Sequence, residues 1–359
     1  MTPESTTGLQ LPSTGEVAGQ PVVLHHGDLA GEYGALREGA MLVDRGIRGR
    51  MRVGGTKAAE LITGMVTNDV LALRSGMGQY AAALSPKGKI VADPRIFAHD
   101  DHLLIDIPPR AWAGWVALVQ KYVNPRLAPY ADVSSEIRDI GIFGRGSRRI
   151  TAAVTGIAVE QLAALQPYHH ISTDSDGHRL TVARSNEIGL EGYDIFLPAA
   201  RFEPIWQRAI EVGARPGGLL AWEIARVEAC RPEWGLDMDD STIPQEANFD
   251  ELEAISYTKG CYIGQEVVAR VHFRGHVNKH LRGLIFGQAE PPPPGALLFD
   301  SAEKQVGDVR SSALSPRRGA VALAMVRREV EPGAVLRARW EGGELQAEVR
   351  DRTSGSALL

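Results

Sequence analysis

The octapeptide Lys259-Gly260-Cys261-Tyr262-Ile263-Gly264-Gln265-Glu266 is the segment of this chain best suited to chemistry. Gly260 and Gly264 flank the cysteine, so the backbone can turn tightly and approach a ligand closely. Gln265 to Ala269 favours a helix beginning just after Gly264. Cys261 would then precede a helix N-terminus, with Lys259 two residues away. Both features lower the pKa of a thiol and favour the reactive thiolate. The alternative is a small buried hydrophobe in a glycine-permitted turn, because free cysteine is among the most buried residue types.

Other residues offer weaker chemistry. Asp93 ends the segment Ser85-Pro-Lys-Gly-Lys-Ile-Val-Ala-Asp93, and a positioned carboxylate there can relay a proton. Asn68 and Asp69 can meet polar groups of a ligand or cap a turn. Tyr80 can stack on an aromatic ligand or fill a core. Arg226 follows Glu223 at ion-pair spacing on a helix. His272, His276 and His280 are four apart, which on one helix would resemble metal ligands. Gly275 and the strand-like Leu281 to Phe286 argue against that helix, and Arg270, Arg274, Lys279 and Arg282 would repel a cation. No metal site is expected. A basic strip facing an anion or solvent fits better. Gly141 to Gly146 lacks the spacing of a dinucleotide loop.

The elements that must hold these residues follow from periodicity. Arg50 to Val53 reads as a strand, and Thr56 as the cap of a helix with Ala58, Leu61, Ile62 and Met65 on one face. Lys89 to His99 and His102 to Ile107 read as strands joined at Asp100-Asp101. A helix carries Trp112, Trp115, Val119 and Val123. From Ile137 to Pro198 come short strands and one helix near Val159 to Leu165. Two helices follow, Phe202 to Gly213 and Leu219 to Cys230, the second ending before Pro232. Beyond His280 only strand-like runs remain, separated by Gly and Pro, which suggests a small antiparallel barrel.

The whole chain sets limits. Its 359 residues suffice for two or three domains. A net charge of -5 supplies no overall field toward DNA or an anionic membrane. Two cysteines exclude a disulfide framework and cannot supply four thiolates to a resident cluster. Neither a signal segment nor a membrane-spanning run is visible, so a cytoplasmic protein is expected.

The octapeptide matches the YgfZ-like branch of the folate-binding proteins that resemble the glycine-cleavage T-protein. The resemblance extends through Val43-Asp-Arg45, Met65-Val-Thr-Asn-Asp69, Gln79-Tyr80, Ser85 to Asp93, Gly192 to Pro198, Ala221 to Ala229 and Pro244-Gln-Glu246. It implies an α+β, three-domain GcvT-like cloverleaf around a central folate channel, with a C-terminal antiparallel β-barrel. Residues 1–21, rich in Ser, Thr, Pro and Gly, lie outside the resemblance and are expected to be a flexible lead-in, with order beginning near Val22. The units that the resemblance implies are a discontinuous folate-binding domain over 22–136 and 214–272, an inserted ferredoxin-like domain over 137–213, and a barrel over 273–359.

It also implies tetrahydrofolate or a derivative as ligand. Asp93 stands where T-proteins hold a catalytic aspartate, but Ala92 replaces its usual acidic neighbour. Leu190 stands where T-proteins hold a pterin-binding glutamate, and Glu191 falls one residue later. On a strand that shift would turn the side chain to the other face; in a loop Glu191 would still reach the pterin. Asn68, Asp69, Tyr80, Glu191, Tyr193 and Arg226 are the implied folate contacts. The implied role is help in assembling or repairing iron–sulfur proteins, tRNA-modification enzymes among them, through Cys261 and a transient cluster shared with client or assembly proteins. A tetrahydrofolate-dependent aminomethyltransferase is the alternative.

Overall fold

The computed structural model describes residues 12–287 and 290–351. Helix Trp112–Tyr122 buries Trp115 and Val119, four apart, against a five-stranded sheet. That sheet runs, edge to edge, Tyr130–Asp132, Gly49–Gly54, His102–Ile107, Arg95–Ala98 and Gly78–Tyr80, all antiparallel. Helix Phe202–Glu211 likewise buries Ile205 and Ala209 against a six-stranded sheet. Its order is His170–Ser175, His178–Ser185, Gly192–Pro198, Ile137–Phe143, Met41–Asp44 and Arg215–Pro216. Met41–Asp44 and Arg215–Pro216 therefore join the sheet of the 137–213 segment rather than that of their own expected unit. The last pair is parallel, which requires the long crossover between them.

Six antiparallel strands form a closed barrel: Lys279–Gly287, Gly319–Arg327, Gln305–Ser315, Leu297–Phe299, Val335–Trp340 and Gly343–Arg350. Pairing of Gly283 with Arg350 completes the ring and leaves no edge. The expected α+β architecture and the C-terminal barrel are both present.

Three local expectations change. Order does not wait for Val22: Ser13–Val17 and Gln20–His25 form a hairpin turned by Ala18 and Gly19, both at positive φ. Residues 1–11 of the lead-in lie outside the described residues. Helices Leu29–Glu38 and Ser147–Thr155 were not anticipated. Their apolar residues pack on neighbouring elements, and their own sequences carry much Gly, Arg and Thr, so tertiary contact decides them. Thr56 is not a cap. The helix is Ala58–Thr63, and its first turn closes through backbone bonds from Ala58 to Gly55 and Leu61 to Lys57.

Candidate functional site

The short strand Ile90–Ala92 pairs with Ala83–Leu84 and delivers Asp93 into the interior. Tyr80 Oη donates to Asp93 Oδ2 at 3.0 Å. Asp93 Oδ1 is buried and has no hydrogen-bond partner among the described residues. Burial disfavours the charged form and pushes this carboxyl up to about 7. Tyr80 is fixed from both sides. Its ring stacks on Phe249 at 5.2 Å, and the Arg231 guanidinium lies 4.0 Å from its centroid. Arg231 in turn donates to Tyr168 Oη at 2.9 Å.

A buried ionic floor lies beside this pair. Arg45 binds Glu187 at 2.5 Å and Asp194 at 3.1 Å. Arg48 binds Asp106 at 2.5 Å, and Arg95 Nε donates to the same carboxylate at 2.9 Å. Arg95 also reaches Asp139 at 3.3 Å and pairs with Asp194. Burial alone would raise Asp106, but Arg48, Arg95 and Arg50 hold it well below the usual carboxylate range. Asp139 is pushed up to about 7 by burial and by the neighbouring Asp194 charge.

Three cavities run outward from Asp93. The inner one, about 30 Å³, is lined by Tyr80, Asp93, Glu187, Arg226, Arg231 and Glu233, among others. It shares Arg45, Arg48, Trp222 and Glu233 with a middle cavity of about 210 Å³. That one shares Val43, Asp44, Ile47 and Leu219 with an outer cavity of about 270 Å³. Arg226 lines the inner cavity while bound to Glu223 at 2.8 Å, Asp237 at 2.5 Å and Ser311 Oγ at 2.9 Å.

The structure does not bring every anticipated residue here. Glu191 and Tyr193 are absent from the lining. Glu191 takes both oxygens to Arg148 at 2.8 Å and accepts from Tyr193 Oη at 2.6 Å. Leu190 packs beside Trp222 in an apolar cluster. Asn68 Nδ2 donates to the carbonyls of Tyr80 and Glu253, and Asp69 caps the turn at Leu71. Both brace loops rather than line the cavity. Conversely, Glu187, Arg231, Glu233 and Trp222 line it without having been singled out. Their signal was positional: Glu187 precedes the Ile188–Tyr193 block, and Arg231 and Glu233 flank Pro232.

The octapeptide lies apart from these cavities. Helix Gln265–Arg274 does begin after Gly264, which has φ +79°. A Cβ on Gly264 would meet the Ser85 carbonyl at 2.6 Å, and one on Gly88 would meet Val267 at 2.6 Å. These glycines let two chain segments touch. Lys259 Nζ donates to the carbonyls of Thr63, Val66 and Asn68 at 2.6, 2.6 and 2.9 Å. The ammonium is thus committed to backbone oxygens, and burial lowers it to about 8. Gln265 Oε1 accepts from Tyr262 N at 3.1 Å, and Tyr262 lies under the Lys259 ammonium. Glu266 is exposed. Cys261 is exposed, against the buried-hydrophobe alternative. Gly260 would admit a Cβ into open space.

The three spaced histidines do not share a helix: His272 is on Gln265–Arg274, His276 in the following loop and His280 on the first barrel strand. Among the described residues no group of three or more His, Cys, Asp or Glu is arranged to hold a metal ion. Among them, too, no helix is long and apolar enough to cross a membrane.

A two-sheet body, a closed barrel and a buried acid at a cavity define a class. Residues 21–255 match the model of the GCVT N-terminal domain, and the chain belongs to that family. It is 26 % identical over 330 residues to the aminomethyltransferase of Thermosynechococcus vestitus, covering 92 % of this chain and 86 % of that protein. The aminomethyltransferase of Geobacillus kaustophilus is 28 % identical over 323 residues, covering 88 % and 86 %. The crystal structure of glycine cleavage system aminomethyltransferase T from Bartonella henselae superposes with a TM-score of 0.85 at 20 % identity, covering 95 % of this chain and 93 % of that one, and shares its fold.

Proposed function

We propose that this chain binds a reduced folate in the three-cavity run and transfers a one-carbon unit, as an aminomethyltransferase or a close variant. Asp93 carries this reading. It is a buried carboxyl with one unpaired oxygen, facing a cavity and titrating near neutrality, which suits a group that gives and takes a proton. The names of the relatives support the same chemistry. The residues present fit a folate. Asp93 Oδ1 lacks a donor, and the middle and outer cavities, of about 210 and 270 Å³, give room for an elongated aromatic ligand. A bound tetrahydrofolate supplies the nitrogens that accept the carbon. Tyr80 orients Asp93, and Arg231 holds Tyr80. The deciding experiment mixes purified protein with tetrahydrofolate and an aminomethyl-loaded carrier, and measures ammonia release. Turnover that survives Asp93→Asn rejects the assignment of Asp93; no turnover in the native chain rejects aminomethyl transfer.

One observation favours a second reading, that of an iron–sulfur accessory protein acting through Cys261. Lys259, Tyr262, Gly264 and Gln265 each have a packing role, while the thiol between them is exposed. Cys230 is buried, so a cluster would need its other ligands from a client. Iron–sulfur enzyme activity in cells depleted of this protein tests it. Full rescue by Cys261→Ser rules the thiol out.

A further inference from the structure

The cavity holds one acid whose role the folate reading leaves open. Glu191 is bound to Arg148 and Tyr193 outside the cavity. Glu187 is bound to Arg45, and Glu223 to Arg226. Glu233 differs. Among the acidic residues it alone lines both the inner and the middle cavity. Its Oε1 accepts from Arg110 Nη1 at 2.8 Å, and the Arg110 side chain is 29 % exposed. Its Oε2 has no hydrogen-bond partner among the described residues.

The backbone around Glu233 is held firmly. Glu233 N donates to Asp237 Oδ2 at 3.0 Å, and its carbonyl accepts from Leu236 N and Asp237 N. Pro232 restricts the preceding turn. The side chain is therefore presented from a rigid base, while its one side-chain partner, Arg110, is a partly exposed arginine that lines the middle cavity. Trp222 lines the same two cavities and offers an aromatic wall, with the Arg45 guanidinium 4.5 Å from its ring centroid and Phe143 against it at 4.8 Å.

A pterin ring carries a ring N–H beside an exocyclic amine. These two donors match the two oxygens of one carboxylate. The inner cavity, about 30 Å³, is too small for that bicycle, so the ring belongs in the middle cavity beside Trp222. There it faces Glu233.

The geometry points to Glu233 as the specificity-determining carboxylate that accepts from the amino–amide edge of the folate's pterin, with Arg110 as the latch it leaves on binding. This rests on the folate reading above. It also supplies an acid where Leu190 has removed one. Burial raises the Glu233 carboxyl, so a paired donor edge that favours its charged form gains from the low local dielectric.

The test measures binding of two probes to the full chain by calorimetry. Tetrahydrofolate contains the pterin; p-aminobenzoylglutamate lacks it. Glu233→Gln is expected to weaken tetrahydrofolate by about tenfold or more and to leave p-aminobenzoylglutamate within about twofold. Arg110→Ala, which frees the carboxylate, is expected to tighten tetrahydrofolate alone. Equal losses of both probes in Glu233→Gln would mean a merely structural residue and overturn the inference. So would unchanged tetrahydrofolate binding, in which case the folate reading stands without Glu233. A native chain that binds neither probe ends the folate reading and this inference together.

Discussion

Two groups of buried carboxylates lie side by side in this protein, and they are treated in opposite ways. Asp106, Asp139, Asp194 and Glu187 share ion pairs with Arg45, Arg48, Arg50 and Arg95, although Asp106 Oδ1 and Asp139 Oδ1 accept no hydrogen bond among the described residues and Asp139 is still pushed up to about 7. Asp93 has a phenol on one oxygen and nothing on the other. Several positive charges pass close to it, yet its nearest hydrogen-bond partner is neutral. Paired acids hold two sheets together. An acid left incompletely paired keeps a proton that can move. What separates Asp93 from Asp139, which is also pushed up to about 7 and also has a bare oxygen, is that Asp93 lines the cavity and has no ion pair among the described residues, whereas Asp139 pairs with Arg95.

The largest effect should come from breaking the paired group. Arg95→Met removes a cation shared by Asp106, Asp139 and Asp194, and should lower the unfolding free energy by about 3–5 kcal/mol. Denaturant titration reads this directly; a loss near zero would show that the floor is not ionically held. Asp93→Asn should instead spare the fold and reduce turnover by about 10²–10⁴-fold. Stability supplies a sharper contrast. An acid raised from 3.8 to about 7 contributes in full below its unfolded value, and that contribution is lost progressively as pH rises from there through about 7. At pH 8 the native chain carries a buried, incompletely paired charge that the Asn variant lacks. Asp93→Asn should therefore melt about 3 °C or more above the parent at pH 8, with the gap closing toward pH 4. A variant that melts lower at pH 8 would place Asp93 with the scaffold.

The smallest structural effect belongs to Cys261. Cys261→Ser should change stability by no more than about 0.5 kcal/mol, as at an exposed site away from packing. In the native fold a thiol reagent should label Cys261 and spare the buried Cys230, and peptide mass spectrometry would show it. Protection of Cys261 would mean that the loop is covered in solution.

Much of this was legible in the sequence. Strand-like runs separated by Gly and Pro revealed the barrel, and apolar spacings of three and four revealed the helices at Trp112 and Phe202. Asp93 and Tyr80 were named as separate candidates and lie 3.0 Å apart. The misses share a cause. Glu191 and Glu187 are both acids in one short segment, and only the fold decides which is turned inward. Arg148, on a helix not foreseen, captures Glu191. Lys259 stands two residues from the thiol, but three carbonyls from a segment some 190 residues earlier claim its ammonium. Pairings so distant in sequence leave no local signal. Chain order could not show, either, that the barrel touches the cavity wall.

That last contact sets a timetable for biosynthesis. Arg226 and Glu228 sit on one helix, and both complete their buried bonds on barrel residues, Ser311 and Ser315. The barrel itself closes only when Gly343–Arg350 pairs with Lys279–Gly287. A ribosome that has finished the first 300 residues has made every cavity acid but none of the strands Gln305–Ser315, Gly319–Arg327, Val335–Trp340 and Gly343–Arg350. Until they emerge, Arg226 and Glu228 each lack one buried serine partner, beside an open strand edge that other chains can join. Loss of the strand Gly343–Arg350, by an early stop codon or a protease, would reopen that edge even with Ser311 and Ser315 in place.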